Sequence, residues 1–237
     1  MKKLILVLFA FATANLTAQV AKSRYIKVDE GKEEQVYEAM KAKTQKYNQS
    51  AEKGAHYTFY IETGPRAGQL FRARIEQDMA AFDQNGDPEE YKMWNETVAP
   101  HVTNDLFQVW NYNKNVSHEM TDLCKKPMRQ VILYNIDPAK SNDFWTFRKR
   151  VYDAIVKSDA QIDMGVWTVF AGNRGLNVLV GFAHENHAEM DMDGSEEWSK
   201  VVTAYNEMNG EDQFKTDNAK LRESMSAWGN GTQIWTF

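Results

Sequence analysis

The sequence predicts an α+β fold in which two tandem β-α-β-β-α-β units close on each other. The first observation behind it is a hairpin over residues 59–71 that returns in outline over residues 167–179, with Gly64 and Arg66 matched by Gly172 and Arg174. The second is a strand and helix pattern that restarts after residue 127. The third is a constant offset of 108 that pairs Val28 with Ile136, Asp29 with Asp137, Lys32 with Lys140, Tyr37 with Trp145 and Leu70 with Val178. Coincidental similarity would drift in register over that length.

The first unit opens on the short apolar run at residues 25–28, ended by Asp29-Glu30-Gly31. Residues 32–50 then place Val36, Tyr37, Met40, Thr44 and Tyr47 on one helical stripe between charges. The hairpin takes strands at about 56–62 and 69–75. An Asp-, Asn- and Gly-rich loop at 83–88 leads to a helix that starts near Pro88, a residue suited to a first helical turn, with Tyr91, Trp94 and Val98 on one face. Residues 106–112 make the closing strand, which completes the split ferredoxin-like order.

The second unit begins with a strand at 131–136, and Asp137-Pro138 caps and opens a helix with Phe144, Phe147, Val151 and Ile155 as its buried stripe. A hairpin at 164–184 follows, then a helical region at 196–227 interrupted near Asn209-Gly210, then a strand at 232–237. Glu89-Glu90-Tyr91 resembles Glu196-Glu197-Trp198, and Gln108-Val109-Trp110 matches Gln233-Ile234-Trp235. The offset grows there, which places an insertion around residues 208–217. The predicted organisation is a leader at 1–19, a first ferredoxin-like repeat at 20–115, a linker at 116–127 and a second repeat at 128–237.

The leader reading comes from Lys2 and Lys3, an apolar run at 4–14 and small or polar residues at Asn15, Thr17, Ala18 and Gln19. Export to the periplasm or beyond is therefore expected, with cleavage near Ala18 or Gln19. The run falls short of the about 20 residues that cross a bilayer, and no later stretch supplies a span. Cys124 is the only cysteine, so no disulfide forms within the chain and packing alone must hold it. The formal charge of −5 becomes more negative when Lys2 and Lys3 leave, and no basic stripe argues for nucleic acid. The expected state is a monomer or a homodimer.

This order, with paired aromatic strands, resembles the dimeric α/β-barrel superfamily, which includes antibiotic-biosynthesis-type monooxygenases and NIPSNAP-type proteins. The resemblance covers residues 25–237 and rests on element order. It implies two ferredoxin-like sheets face to face with helices outside, here as an intrachain α/β barrel. A single unit has helices on one sheet face only, so its other face needs a partner.

Alternation turns Gln108, Trp110 and Tyr112 to one side of the closing strand, and Gln233, Trp235 and Phe237 to the matching side of the other, leaving Val109 and Ile234 for the helix-facing core. Gln108, Trp110, Gln233 and Trp235 then form a polar-edged aromatic pocket for a small organic ligand. The alternative is a filled barrel in which neighbouring amides satisfy the indole N–H groups. His184 and His187, three residues apart with Glu189 or Asp191 nearby, are the densest set of possible metal ligands, though a solvated loop accounts for them more simply. Some superfamily members use haem through a helix-borne histidine. Both second-unit helices lack one, His101 follows Pro100, His56 begins a strand and His118 lies in the linker. No cofactor is expected. Arg66 and Arg174 are read as hairpin residues, and Cys124 is given no role.

Three functions remain open: small-molecule binding without established catalysis, a cofactor-independent monooxygenase or related oxidoreductase as the resemblance implies, and a non-catalytic envelope interaction protein with a filled barrel.

Overall fold

The computed structural model describes residues 19–48, 54–84, 86–119, 126–191 and 194–237. Residues 1–18 of the expected leader, Cys124 and half of the expected linker lie outside them. In chain order the first half forms β1 (Val20–Val28), α1 (Glu33–Tyr47), β2 (His56–Ile61), β3 (Leu70–Glu76), α2 (Pro88–Thr97) and β4 (Val102–Tyr112). The second forms β5 (Met128–Ile136), α3 (Ser141–Ser158), β6 (Met164–Ala171), β7 (Leu176–His184), α4 (Glu196–Asn209), α5 (Gln213–Glu223) and β8 (Met225–Thr236).

Local chemistry sets the helix starts. Asp87 accepts a hydrogen bond from the Glu89 N–H at 2.9 Å, with Pro88 in the first turn of α2. Ser195 caps α4 through the Trp198 N–H. Asp137 caps a 3₁₀ turn at Pro138–Lys140 rather than α3 itself, which starts at Ser141. Phe144, Phe147, Val151 and Ile155 are buried on α3 as the stripe requires. The long helical region stops at Glu223, short of residue 227. The Asp137 N–H donates to the Ser224 carbonyl, and β8 begins one residue later by pairing Met225 with Ile136. Tertiary pairing thus overrides the weak strand preference of a polar, glycine-containing segment.

All eight strands are antiparallel and close into one barrel in the order β1-β3-β2-β8-β5-β7-β6-β4. Each half supplies four adjacent strands, and two seams join them. At one seam Ile61 faces Trp235, and at the other Val169 faces Trp110. Helices cover the outside, so there are three cores: one inside the barrel, one under α1 and α2, and a larger one under α3, α4 and α5.

β4 serves two of these cores because it carries a bulge. Leu106 adopts φ +47°, and its N–H is taken by the Asp105 carboxylate at 2.7 Å. The extra residue shifts the register against β1 between Ser23 and Tyr25. Val102 therefore packs under the helices, while Leu106 and Trp110 face inward. Val109 and Ile234, expected in the helix-facing core, are half-buried and join none of the three clusters. Both lie at the seams, Val109 opposite Ala171 and Ile234 bonded to Glu62 and Thr63.

Glycine fixes how close the seams come. Gly172 has φ +93°, and a Cβ on it would stand 2.0 Å from the Phe107 carbonyl oxygen and 2.9 Å from the Gln108 Cα. At the other seam Gly64, with φ +90°, lies against the Gln233 side chain. Replacing Gly172 by alanine is expected to cost about 2–5 kcal/mol, since backbone strain and backbone overlap act together. The measurement is the urea midpoint at unchanged m value.

Candidate functional site

The inward positions of the strands hold an apolar layer with Tyr25, Phe59, Ile61, Phe71, Trp110, Val131, Leu179 and Trp235 buried in it. This layer does not fill the barrel. Gly165 of β6 and Gly181 of β7 lie directly opposite each other and contribute no side chain. Ala21, Ala55 and Ala73 are the other small residues of the wall. What remains is a cavity of about 230 Å³, with Trp110, Trp167 and Trp235 among its walls.

The indole groups are held in place by hydrogen bonds. Trp110 Nε1–H donates to Ser23 Oγ at 2.8 Å, and Trp235 Nε1–H donates to Gln233 Oε1 at 2.8 Å. Trp235 also packs on Phe71 at a centroid distance of 4.4 Å. Of the four residues the sequence put forward, Trp110 and Trp235 line the cavity. Gln108 and Gln233 are buried but do not line it: the Gln233 side chain lies against Gly64 and accepts from the Trp235 indole, and Gln108 Oε1 has no hydrogen-bond partner among the described residues.

Two charged residues that sequence reasoning missed reach the same cavity. Arg129 of β5 is buried, donates from Nη1 to the carbonyls of Lys126 at 2.7 Å and Met128 at 2.6 Å, and stands 5.5 Å from the Phe59 ring. Glu119 accepts a 2.6 Å hydrogen bond from the Tyr112 hydroxyl. The available signal was the 108 offset, which sets Arg129 against Ala21, Gly165 against Tyr57 and Gly181 against Ala73. A cation inside a barrel beside aromatic rings is a recognition group for a ligand that is mostly apolar with one electron-rich end.

At the tip of the first hairpin, Arg66 bonds Asp105 at 3.1 Å and Gln69 at 3.1 Å, and lies 4.1 Å over the Tyr25 ring. Burial pushes the Tyr25 hydroxyl up to about 12, with Arg66 opposing. Arg174 is exposed.

The two histidines of the possible metal cluster separate. His184 is buried at the end of β7 near the Lys126–Asp163 ion pair, its Nε2 has no hydrogen-bond partner among the described residues, and burial lowers its pKa. His187 is exposed, 3.4 Å from the Glu62 carboxylate. Among the described residues no group of three or more His, Cys, Asp and Glu is placed to hold a metal ion. His101 contacts Gln35, and His118 Nδ1–H donates to the Ile162 carbonyl. Among the described residues, no helix is long and apolar enough to cross a membrane.

No protein-family model and no curated protein matches the sequence. Solved structures do match its fold. A putative monooxygenase from Lactobacillus acidophilus aligns with a TM-score of 0.57 at 10% identity, over 92% of this chain and 93% of that one. A putative monooxygenase from Fusobacterium nucleatum aligns at 0.55 and 10% identity, over 93% and 92%. A chlorite dismutase variant from Candidatus Nitrospira defluvii aligns at 0.52 and 9% identity, over 92% of each chain. This chain thus shares the fold of these three structures.

These matches correct the expectation that no cofactor is used. Chlorite dismutase, named for an oxidation–reduction reaction, is built on this fold. Haem, the group the superfamily resemblance brings in, does not fit the barrel cavity or the layer under α3 and α4. The barrel cavity is below the roughly 300–1,000 Å³ typical of ligand pockets and no imidazole lines it. The layer under α3 and α4 is filled by Phe144, Phe147, Val151 and Tyr205. No chemical step is assigned to haem.

His56, at the start of β2, gives a pH test. Burial, then Arg72 and Lys43, hold it down at about 2, against the Gly54 carbonyl hydrogen bond that favours its charged form; Arg74 adds to the lowering. The unfolded chain takes up the proton near the ordinary 6.5, the folded chain does not. This stability is present above that value and drains as pH falls toward the folded value. Between about pH 7 and pH 5 the native protein is expected to lose up to about 2 kcal/mol more than His56→Gln, by urea unfolding at each pH.

Proposed function

We propose that this chain binds a small, mainly aromatic molecule inside a barrel made by two tandem ferredoxin-like units, each closing the other. The observation that carries the reading is the apolar cavity opposite Gly165 and Gly181, walled by tryptophan rings and reached by Arg129 and Glu119. The tandem reading is supported by the seams, where Ile61 with Trp235 and Val169 with Trp110 occupy corresponding positions of the two halves. The proposed units are residues 20–115 and 128–237, joined by 116–127. Export rests on the zoning of residues 1–19 alone, and N-terminal sequencing of the mature protein checks it.

A second reading, cofactor-independent oxygenation of the bound ring, is favoured by the two structural matches described as putative monooxygenases. Their identity is too low to carry a reaction across. Oxygen uptake on adding the ligand separates a binder from an oxygenase.

Gly181 offers a clean test because its backbone is ordinary and a Cβ there would meet only Leu179 Cδ2 at 3.7 Å. Gly181→Leu should fill the hollow and keep the fold. With 1-naphthol as probe, the native protein is expected to show saturable quenching of tryptophan fluorescence, and Gly181→Leu to lose it by about tenfold or more in affinity. Equal binding by both proteins would refute the barrel site.

A further inference from the structure

The two halves share a ladder but not an outer face. Across β1, β3 and β2, Arg24 faces Arg72, which faces Thr58, and the next row holds Lys22, Arg74 and His56. The rows 108 residues later hold Ile132, Val180 and Val166, then Gln130, Phe182 and Met164. Val180, Val166, Phe182 and Met164 belong to the buried apolar core under α3, as does Val151, where α1 carries Lys43. A surface that the second half seals with hydrocarbon is built in the first half from cations.

Only some of these cations are neutralised. Lys43 pairs with Glu90 at 2.5 Å and Arg74 with Glu76 at 2.5 Å. Arg72 is buried and donates to the hydroxyls of Thr58 and Thr44, with its guanidinium 5.7 Å from the Trp94 ring. Arg24 lies 4.3 Å over the same ring. Among the described residues neither forms an ion pair with a carboxylate. Two guanidiniums directly opposite in a sheet repel, and a buried charge ordinarily finds a counter-charge. Burial and then Arg24 lower Arg72 to about 10, with the Glu90 carboxylate opposing from beyond ion-pair distance.

Beside Arg72 a groove of about 420 Å³ opens between α1 and the β2–β3 hairpin, with apolar walls that include Tyr37, Tyr60, Leu70 and Phe237. His56 lies in it. Its Nδ1–H donates to the Gly54 carbonyl at 2.9 Å, so the neutral ring presents Nε2 as an acceptor.

We propose that this groove is an anion site, separate from the barrel cavity, that takes a small aromatic carboxylate with its acid group on Arg72 and its ring against the apolar walls. The planar guanidinium fork matches a carboxylate better than an ammonium would. The anion gives Arg72 the directly bonded carboxylate it lacks among the described residues, and the rings of Tyr37 and Phe237 supply contact surface.

Benzoate is the probe, titrated into the full chain by calorimetry and by thermal unfolding. Saturable binding that depends on Arg72, with a rise in Tm, is expected. Arg72→Met, which restores the apolar character of the second half, should remain folded and bind benzoate about tenfold or more weakly. Tyr37→Ala, at a half-exposed wall position, should weaken benzoate more than acetate and answers the question if Arg72→Met does not fold. Gly181→Leu, with the barrel filled, should keep the Arg72-dependent benzoate binding. Absence of saturable binding, binding indifferent to Arg72→Met and Tyr37→Ala, or binding lost in Gly181→Leu overturns the proposal.

Discussion

Each half of this chain has helices on one face of its sheet and nothing of its own for the other. Pairing of β2 with β8 and of β4 with β6 supplies the missing cover, and the rest of the architecture depends on those two seams. They bring the inner faces together, so that Phe71 meets Trp235 across the halves and Trp110 is turned inward beside Ser23. The seams are narrow because Gly64 and Gly172 let the hairpins approach the neighbouring closing strand. A side chain at Gly172 would push β4 and the second hairpin apart, and the inner layer would lose its cover against water.

Within that closed wall the two halves carry different chemistry. The second half invests in packing: Phe147, Tyr205 and Phe214 form a connected set of rings under its helices. The buried Asp217 there accepts from the Tyr205 hydroxyl at 2.7 Å and pairs with Arg150 at 2.5 Å, joining α3, α4 and α5. The first half has a smaller apolar cluster and sets cations under α1 and α2. In a barrel of this kind one half can act as scaffold while the other spends stability on recognition, a division consistent with strain and buried polarity gathering at functional positions.

Much of the fold was legible because it is written in periodicity. The hairpins, the α3 stripe and the break after Asn209 follow from turn residues and apolar spacing, and residues 20–28 show the same logic extended by pairing on both edges of β1. The bulge at Leu106 was not legible, since an apolar residue gives no sign that it will adopt a left-handed conformation. The early start of β8 was hidden because long-range pairing, not composition, makes that segment a strand. For the site, alternation found Trp110 and Trp235 but could not say that Gln233 would be consumed at Gly64 or that Gln108 would be buried away from the cavity. The hollow was missed for a simpler reason: a cavity is made by what is absent, and Gly165 and Gly181 are informative only once β6 and β7 are known to be adjacent.

The account stands on a closed barrel that is hollow rather than filled. Apolar cavities take up xenon, so crystals of the full chain held under xenon pressure test it directly. The account predicts a xenon site inside the barrel, between Gly181 and the Trp235 ring. A barrel interior occupied by side chains, with xenon absent from it, would contradict the account.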